Sequence, residues 1–199
     1  MNRKRWERHE LLAAFALYCR TPFGRLDQRN PDVVRMASLL GRTPSAVAMK
    51  LCNLASLDPV QQARGIRGLG NASQADRALW DELQRDPDAF AYASEQAFAQ
   101  LEHSQAATVM DAPDALAEDM DTETTAERRV RLVQRFFRAA VLTSYHMRCA
   151  VCELGIVDLL NASHIIPWRA STERRADPTN GISLCALHDR AFDRGLITV

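Results

Sequence analysis

The sequence predicts an α+β fold, in which an all-helical N-terminal domain precedes a small domain that combines short strands with a helix. Three observations carry this expectation. Apolar residues recur at helical spacing from "ELLAAFALYCR" to "DAFAYASEQAFAQL", with no convincing strand among them. Residues 111–127, "DAPDALAEDMDTETTAE", hold seven acids and no base, have little apolar content and read as a linker. Beyond them "LLNASHIIPW" (Leu159 to Trp168) reads as a short β-strand, bracketed by two pairs of Cys and His residues at matching spacing. The expected division is therefore a helical domain over 1–110, an acidic linker over 111–127 and a mixed domain over 128–199.

The bulk numbers bound the function class. With 199 residues and 47% hydrophobic composition, the chain has room for one sizeable core or two small domains and is not disordered throughout. No run of about 18 apolar residues exists, and "MNRKRWERHE" lacks an apolar signal region, so a cytoplasmic protein without a membrane partner is expected. Five cysteines, an odd number without an export signal, argue against a disulfide framework and for metal binding by some of them. The formal net charge is zero, but it is segregated. Residues 1–50 hold ten Lys or Arg against four acids, and "RRVRLVQRFFR" (128–138) holds five Arg and no acid. Arg makes up 23 of the 25 basic residues, and its planar fork suits phosphate and guanine, although a GC-rich coding sequence also favours Arg.

Taken in order, the helical segments are "ELLAAFALYCR", "PDVVRMASLL", "SAVAMKLCNLASL" and "ADRALWDELQRDPDAFAYASEQAFAQL". "RGIRGLGNAS" lacks the Lys-Ser/Thr ending of a phosphate-binding loop and reads as a basic turn. In "VVRMASLLGRTPSAVAMKLCNL", Ala37 is small where two helices cross, Gly41 supplies the positive φ of a tight turn, and Val47 packs the second helix on the first. Thr43 or Ser45 caps that helix, with Pro44 in its first turn. This spacing resembles a helix-turn-helix, and "RWERHELLAAFALY" resembles the first helix of Myb-like three-helix units. The resemblance implies DNA contact by Arg42, Ser45, Met49 and Lys50. The alternative is a plain helical hairpin with a solvated basic face. Cys19 and Cys52 lie on apolar faces without a partner nearby and read as core.

In the C-terminal part, "CAVC" (Cys149, Cys152) and "CALH" (Cys185, His188) repeat one spacing, which suits a closed tetrahedral structural Zn²⁺. Such a site stabilises a small fold rather than performing chemistry. Between the pairs lie His164 and Asn180; after them come Asp189 and Asp193 in "HDRAFDRG". Four apart on a helix, the two carboxylates share a face and repel unless a cation compensates them. A hard divalent ion such as Mg²⁺ would do so while keeping positions for water and phosphate. Pairing of Asp193 with Arg190 or Arg194 is the alternative.

The block from about Gln134 to Val199, a third of the chain, resembles the HNH endonuclease family in its restriction-enzyme-like branch, on "QRFFRAAVLTSY", "CAVC", "LLNASHIIPW" and "NGISLCALHDRAFDRGLI". The resemblance implies a zinc-stabilised ββα-metal nuclease domain. It makes His164 the general base that activates water against a phosphodiester, held in one orientation by neighbours such as Ile165 and Ile166. Asn180 would brace the loop carrying His164, and Asp189 and Asp193 would hold one catalytic Mg²⁺ or Mn²⁺. Arg169, Arg190 and Arg194 become candidate phosphate contacts. Two positions depart from the common pattern: many members have Asp directly before the base histidine and His as the first ligand of the helix, where this chain has Ser163 and Asp189. His188 goes to the zinc because its spacing from Cys185 mirrors the first pair. The implied activity is a metal-dependent DNA endonuclease of restriction or defence, with DNA as partner and a homodimer if both strands are cut. The rival is a non-catalytic DNA-binding regulator that keeps the zinc-held unit as a docking surface.

Overall fold

The structure is a computed structural model that describes residues 5–65, 72–109 and 125–199. Linker residues 111–124 and most of the "RGIRGLGNAS" turn lie outside the described residues. The N-terminal part is helical, with α1 (Arg8–Arg20), α2 (Pro31–Leu39), α3 (Pro44–Ala55), α4 (Pro59–Ala63), α5 (Gln74–Arg85) and α6 (Pro87–Val109). The run "ELLAAFALYC" is apolar almost all round, so α1 is buried from Glu10 to Cys19 and forms the axis of the bundle. Among the described residues no helix is long and apolar enough to cross a membrane.

The α2–α3 turn forms as its spacing predicts. Gly41 takes φ 58°, Thr43 accepts from the Ala46 N–H at 3.2 Å, and Ala37 and Val47 are both buried. Two of the basic residues expected to face DNA from this unit do not reach its surface. The Arg42 guanidinium pairs with Glu10 at 2.6 Å, and the Lys50 ammonium pairs with Asp76 at 2.6 Å. Both cations lie against the Trp6 ring, at 4.1 and 5.2 Å from its centroid. Their side chains are only 6% and 8% exposed. Such buried pairs pin α1, α3 and α5 together, and breaking one costs about 3–5 kcal/mol, so neither cation is available to phosphate. Ser45 and Met49 are exposed on the same helix.

Helix α7 (Thr125–Ser144) is shared between two cores. Val133, Phe136 and Ala140 join the bundle core, where Phe136 meets Phe90 edge to face at 6.3 Å. Phe137 and Val141, on another side of α7, meet a two-stranded antiparallel sheet. The strands are β1 (Leu160–His164) and β2 (Gly181–Cys185), registered with Leu160 opposite Cys185 and His164 opposite Gly181, and α8 (Ala186–Asp193) follows directly. A second, small core forms beneath them from Leu142, Cys149, Leu160, Ile182, Leu184 and Cys185. The fold is thus mostly helical with a small strand-strand-helix unit at its C-terminal end.

Gly181 sets how closely α7 approaches the sheet. A Cβ there would collide with Val141 and lie 2.8 Å from Phe137 Cζ. Gly181→Ala is therefore expected to cost about 1–3 kcal/mol by overpacking, read as a lowered thermal midpoint. An unchanged midpoint would mean that α7 yields freely at this contact.

Candidate active site and metal centre

The metal centre grows from two turns. After α7 the chain reverses through His146 and Met147 at positive φ, and a knuckle closes with the Cys149 N–H donating to the Leu154 carbonyl at 2.9 Å. Glu153 takes φ 60° within it, and the Ala150 N–H donates to the Ser183 carbonyl at 2.8 Å, which fastens the knuckle to β2. The second pair comes from the end of β2 and the first turn of α8, where Cys185 and His188 are one helical turn apart.

The ligand atoms of Cys149, Cys152, Cys185 and His188 all lie within 4.8 Å of one another. Cys152 Sγ and Cys185 Sγ are 3.8 Å apart, and His188 Nδ1 is 3.2 Å from Cys185 Sγ and 3.5 Å from Cys149 Sγ. Tetrahedral zinc with bonds of about 2.3 Å to sulfur and about 2.0–2.1 Å to nitrogen requires edges of about 3.8 and 3.6 Å, so the donor set fits that ion. Burial pushes the Cys149 thiol up, but amide donors at Cys152, Cys185 and Val151 outweigh it and bring it down to about 6, as suits a thiolate ligand. Among the described residues this is the group in which His, Cys, Asp or Glu ligands converge in threes or more.

The strand carries the second constellation. Period-two alternation sends Asn161 and Ser163 to the α8 side of β1 and His164 to the α7 side. The His164 ring stacks on Phe137, with centroids 3.9 Å apart and planes 6° from parallel, and meets Trp168 edge on at 5.5 Å. His164 Nε2 lies 2.9 Å from the Arg175 carbonyl oxygen. A carbonyl can only accept, so Nε2 carries the proton, and the lone pair of the neutral ring sits on Nδ1. The imidazole is therefore oriented by Phe137, Trp168 and Arg175. Ile165, expected to help hold it, is 39% exposed.

Asn180 is buried and clamps the loop between the strands. Its Oδ1 accepts from the Ile166 N–H at 2.8 Å, and its Nδ2 donates to the carbonyls of Ile166 at 3.0 Å and Arg174 at 3.1 Å. The loop thus holds the Arg175 carbonyl in place against the histidine. Asp189 accepts from Asn161 Nδ2 at 2.7 Å and from the Ser163 hydroxyl, and is half-buried; Asp193, one turn on, is exposed. Two neutral donors therefore hold Asp189 beside β1 while leaving lone pairs on its carboxylate. Arg169, Arg190 and Arg194 are all exposed.

Several contributors escape sequence reasoning. Phe137 lies 27 positions before the ring it stacks on, and Arg175 contributes its carbonyl to His164 and its guanidinium to Trp168, over whose ring it sits at 5.0 Å. Asp88, in the first turn of α6, accepts from the Ala176 N–H at 3.0 Å, next to the carbonyl that orients His164. Burial raises its carboxyl above the ordinary range, and the Ala176 amide pulls the other way. Asp88→Ala would leave that buried N–H unpaired and is expected to cost about 1–3 kcal/mol in thermal stability. It should also blur the single Nε2–H tautomer of His164 in ¹⁵N NMR, while Asp88→Asn, which keeps an acceptor, should restore both. Unchanged melting and histidine signals in the alanine variant would show that the loop holds itself.

Residues 149–199 match the family model described as HNH endonuclease. No curated protein and no solved structure matches the chain.

Proposed function

We propose that the protein is a metal-dependent endonuclease that hydrolyses phosphodiester bonds in DNA, with His164 as its general base. The observation that carries this reading is the state of the imidazole. Two aromatic rings fix its plane, a backbone carbonyl takes Nε2–H, and among the described residues Nδ1 has no hydrogen-bond partner. The ring is half-buried, and a base needs this arrangement: a fixed plane with one lone pair that no protein group engages.

In this reading Nδ1 takes a proton from the water that attacks phosphorus, and the Asn180 clamp keeps the ring from turning away. Asp189 and Asp193 hold a Mg²⁺ or Mn²⁺ ion, which when bound would neutralise charge on the phosphate and on the departing oxygen. The departure at Ser163 then makes sense. Where many family members place a carboxylate on the strand, this chain supplies it from α8, and the Ser163 hydroxyl anchors it. Zn²⁺ at the four-ligand centre is structural. Ser45, Arg169, Arg190 and Arg194 remain the candidate DNA contacts. Restriction of foreign DNA is the setting that fits, with two copies acting together where both strands are cut.

The test is cleavage of supercoiled plasmid and of phage DNA by the purified protein with Mg²⁺ or Mn²⁺, against a chelated control. Metal-dependent nicking or linearisation is expected. Binding without cleavage of unmodified, modified or single-stranded DNA, with the zinc in place, would favour the DNA-binding regulator instead.

A further inference from the structure

Of the five arginines in "RRVRLVQRFFR", four share one side of α7. Arg128, Arg131, Arg135 and Arg138 follow one another at steps of three, four and three residues, which aligns them in a single stripe along the helix. All four are exposed. Arg129, out of that step, turns to the bundle instead and lies over the Tyr92 ring at 5.2 Å. The side of α7 away from the stripe packs Val133, Phe136 and Phe137 into the protein. Along the stripe every neighbour is a like charge, and such pairs three or four residues apart destabilise a helix unless an anion compensates them. Two acids approach without neutralising it. Glu127 borders its first turn, and Glu95, 3.8 Å from the Arg135 Nε, is already paired with Arg20. At its C-terminal end the stripe is fastened to the strand-strand-helix unit. The Arg138 guanidinium donates to the carbonyl of Leu160, the first residue of β1, and His164 closes the same strand.

We propose that this stripe is a docking surface for the phosphate backbone of duplex DNA, which it leads towards the strand bearing His164. The choice of DNA as the polyanion rests on the nuclease reading, whereas the need for a polyanion comes from the stripe itself. Ten residues of helix place its two ends about 15 Å apart. One phosphate or nucleotide cannot bridge that span, while a duplex carries a charge every ~1.7 Å of its axis. Arginine suits the task, because its planar fork makes paired hydrogen bonds to phosphate oxygens. The turn between α2 and α3 offers less, since its Arg42 and Lys50 are spent on buried ion pairs. Backbone contacts position a duplex but read no sequence. The stripe therefore supplies affinity and orientation, and recognition is left to other residues.

The test is fluorescence anisotropy of labelled duplex oligonucleotides of unrelated sequence, titrated with the zinc-loaded full-length protein over a range of salt without added Mg²⁺. A variant combining Arg128→Gln, Arg131→Gln and Arg135→Gln removes three charges and leaves Arg138 to hold β1. It is expected to bind every duplex at least about tenfold more weakly, with the slope of log K against log salt reduced by about 0.9 for each guanidinium removed. The same three positions changed to Lys should keep the parental slope. Neutralising Arg25, Arg77 and Arg85, exposed on the bundle, should change it little. Arg128→Gln alone, expected to lower the slope by about 0.9, keeps the test valid if the triple variant does not fold. Parental affinity and slope in the Gln variants, as a stripe neutralised within its own chain would give, would overturn the proposal and leave the role of His164 untouched. An equal loss from the bundle variant would also overturn it, by showing a general charge effect. Tighter binding of duplex RNA by the same residues would overturn DNA as the partner. Absence of any duplex binding by the parental protein would remove the stripe and the DNA nuclease reading together.

Discussion

Replacing His164 by alanine is expected to lower metal-dependent DNA cleavage by about 10²–10⁴-fold, the usual contribution of a positioned general base. Binding of DNA should survive, because the ring touches Phe137, Trp168 and a backbone carbonyl rather than a basic surface. Two controls separate chemistry from packing. Added imidazole should recover part of the activity by entering the gap between the two aromatic rings. The variant should also retain its zinc, because no cluster ligand contacts the His164 ring. Cleavage that persists at the parental rate in the alanine variant would remove His164 from the mechanism and with it the main support for the proposed function.

Loss of the metal cluster should have the largest effect on stability. The core beneath the sheet consists of six buried residues, too few to hold a unit of this size without a staple. Structural zinc contributes an apparent 10–16 kcal/mol to small zinc-held folds, roughly the whole stability of such a unit. Cys149→Ser is accordingly expected to release the ion and to abolish hydrogen-exchange protection across 149–193, while the helices of the bundle stay protected. Metal content by mass spectrometry and exchange read by peptide mapping would decide this. A variant that keeps full protection over β1 and β2 without bound metal would mean that α7 alone carries the unit.

How far these sites could be read in advance depended on how local their signals are. The paired spacing of Cys149–Cys152 and Cys185–His188 announced a cluster because each pair is closed by a short turn, and the structure brings all four ligand atoms together. The two helices around Gly41 were equally legible, since cap, turn residue and crossing position all lie within one short stretch. The fate of Arg42 and Lys50 was not. Their partners, Glu10 and Asp76, are 32 and 26 positions away, and a basic residue near a turn looks solvated until the fold delivers a buried acid to it. The surroundings of His164 were hidden for the same reason, with a further difficulty. Arg175 orients the ring through its carbonyl, which leaves no residue-type signal, and Gly181 is required by Val141 and Phe137 of a helix distant in sequence. Asp189 was visible as half of a repelling pair that needed a cation. That Asn161 and Ser163 supply donors to it became apparent only with the strand alternation in view.

The sharing of α7 between two cores bears on how this protein can be taken apart. The stretch that matches the family model begins at Cys149 and contains every proposed ligand as well as the proposed base. It contains neither Phe137, which forms one face of the histidine pocket, nor Arg138, whose guanidinium donates to the Leu160 carbonyl at 2.7 Å. It also lacks Asp88, which anchors the Ala176 amide. Grafted onto another protein, residues 149–199 would carry the chemistry without the scaffold that aims it. A transplantable unit has to start no later than the α7 turn bearing Phe136 and Phe137, and it has to bring a surface to replace the bundle on which Phe136 rests. Recombination that moved this unit into another chain would therefore find its workable crossover point upstream of that helix, not at the edge of the recognisable motif.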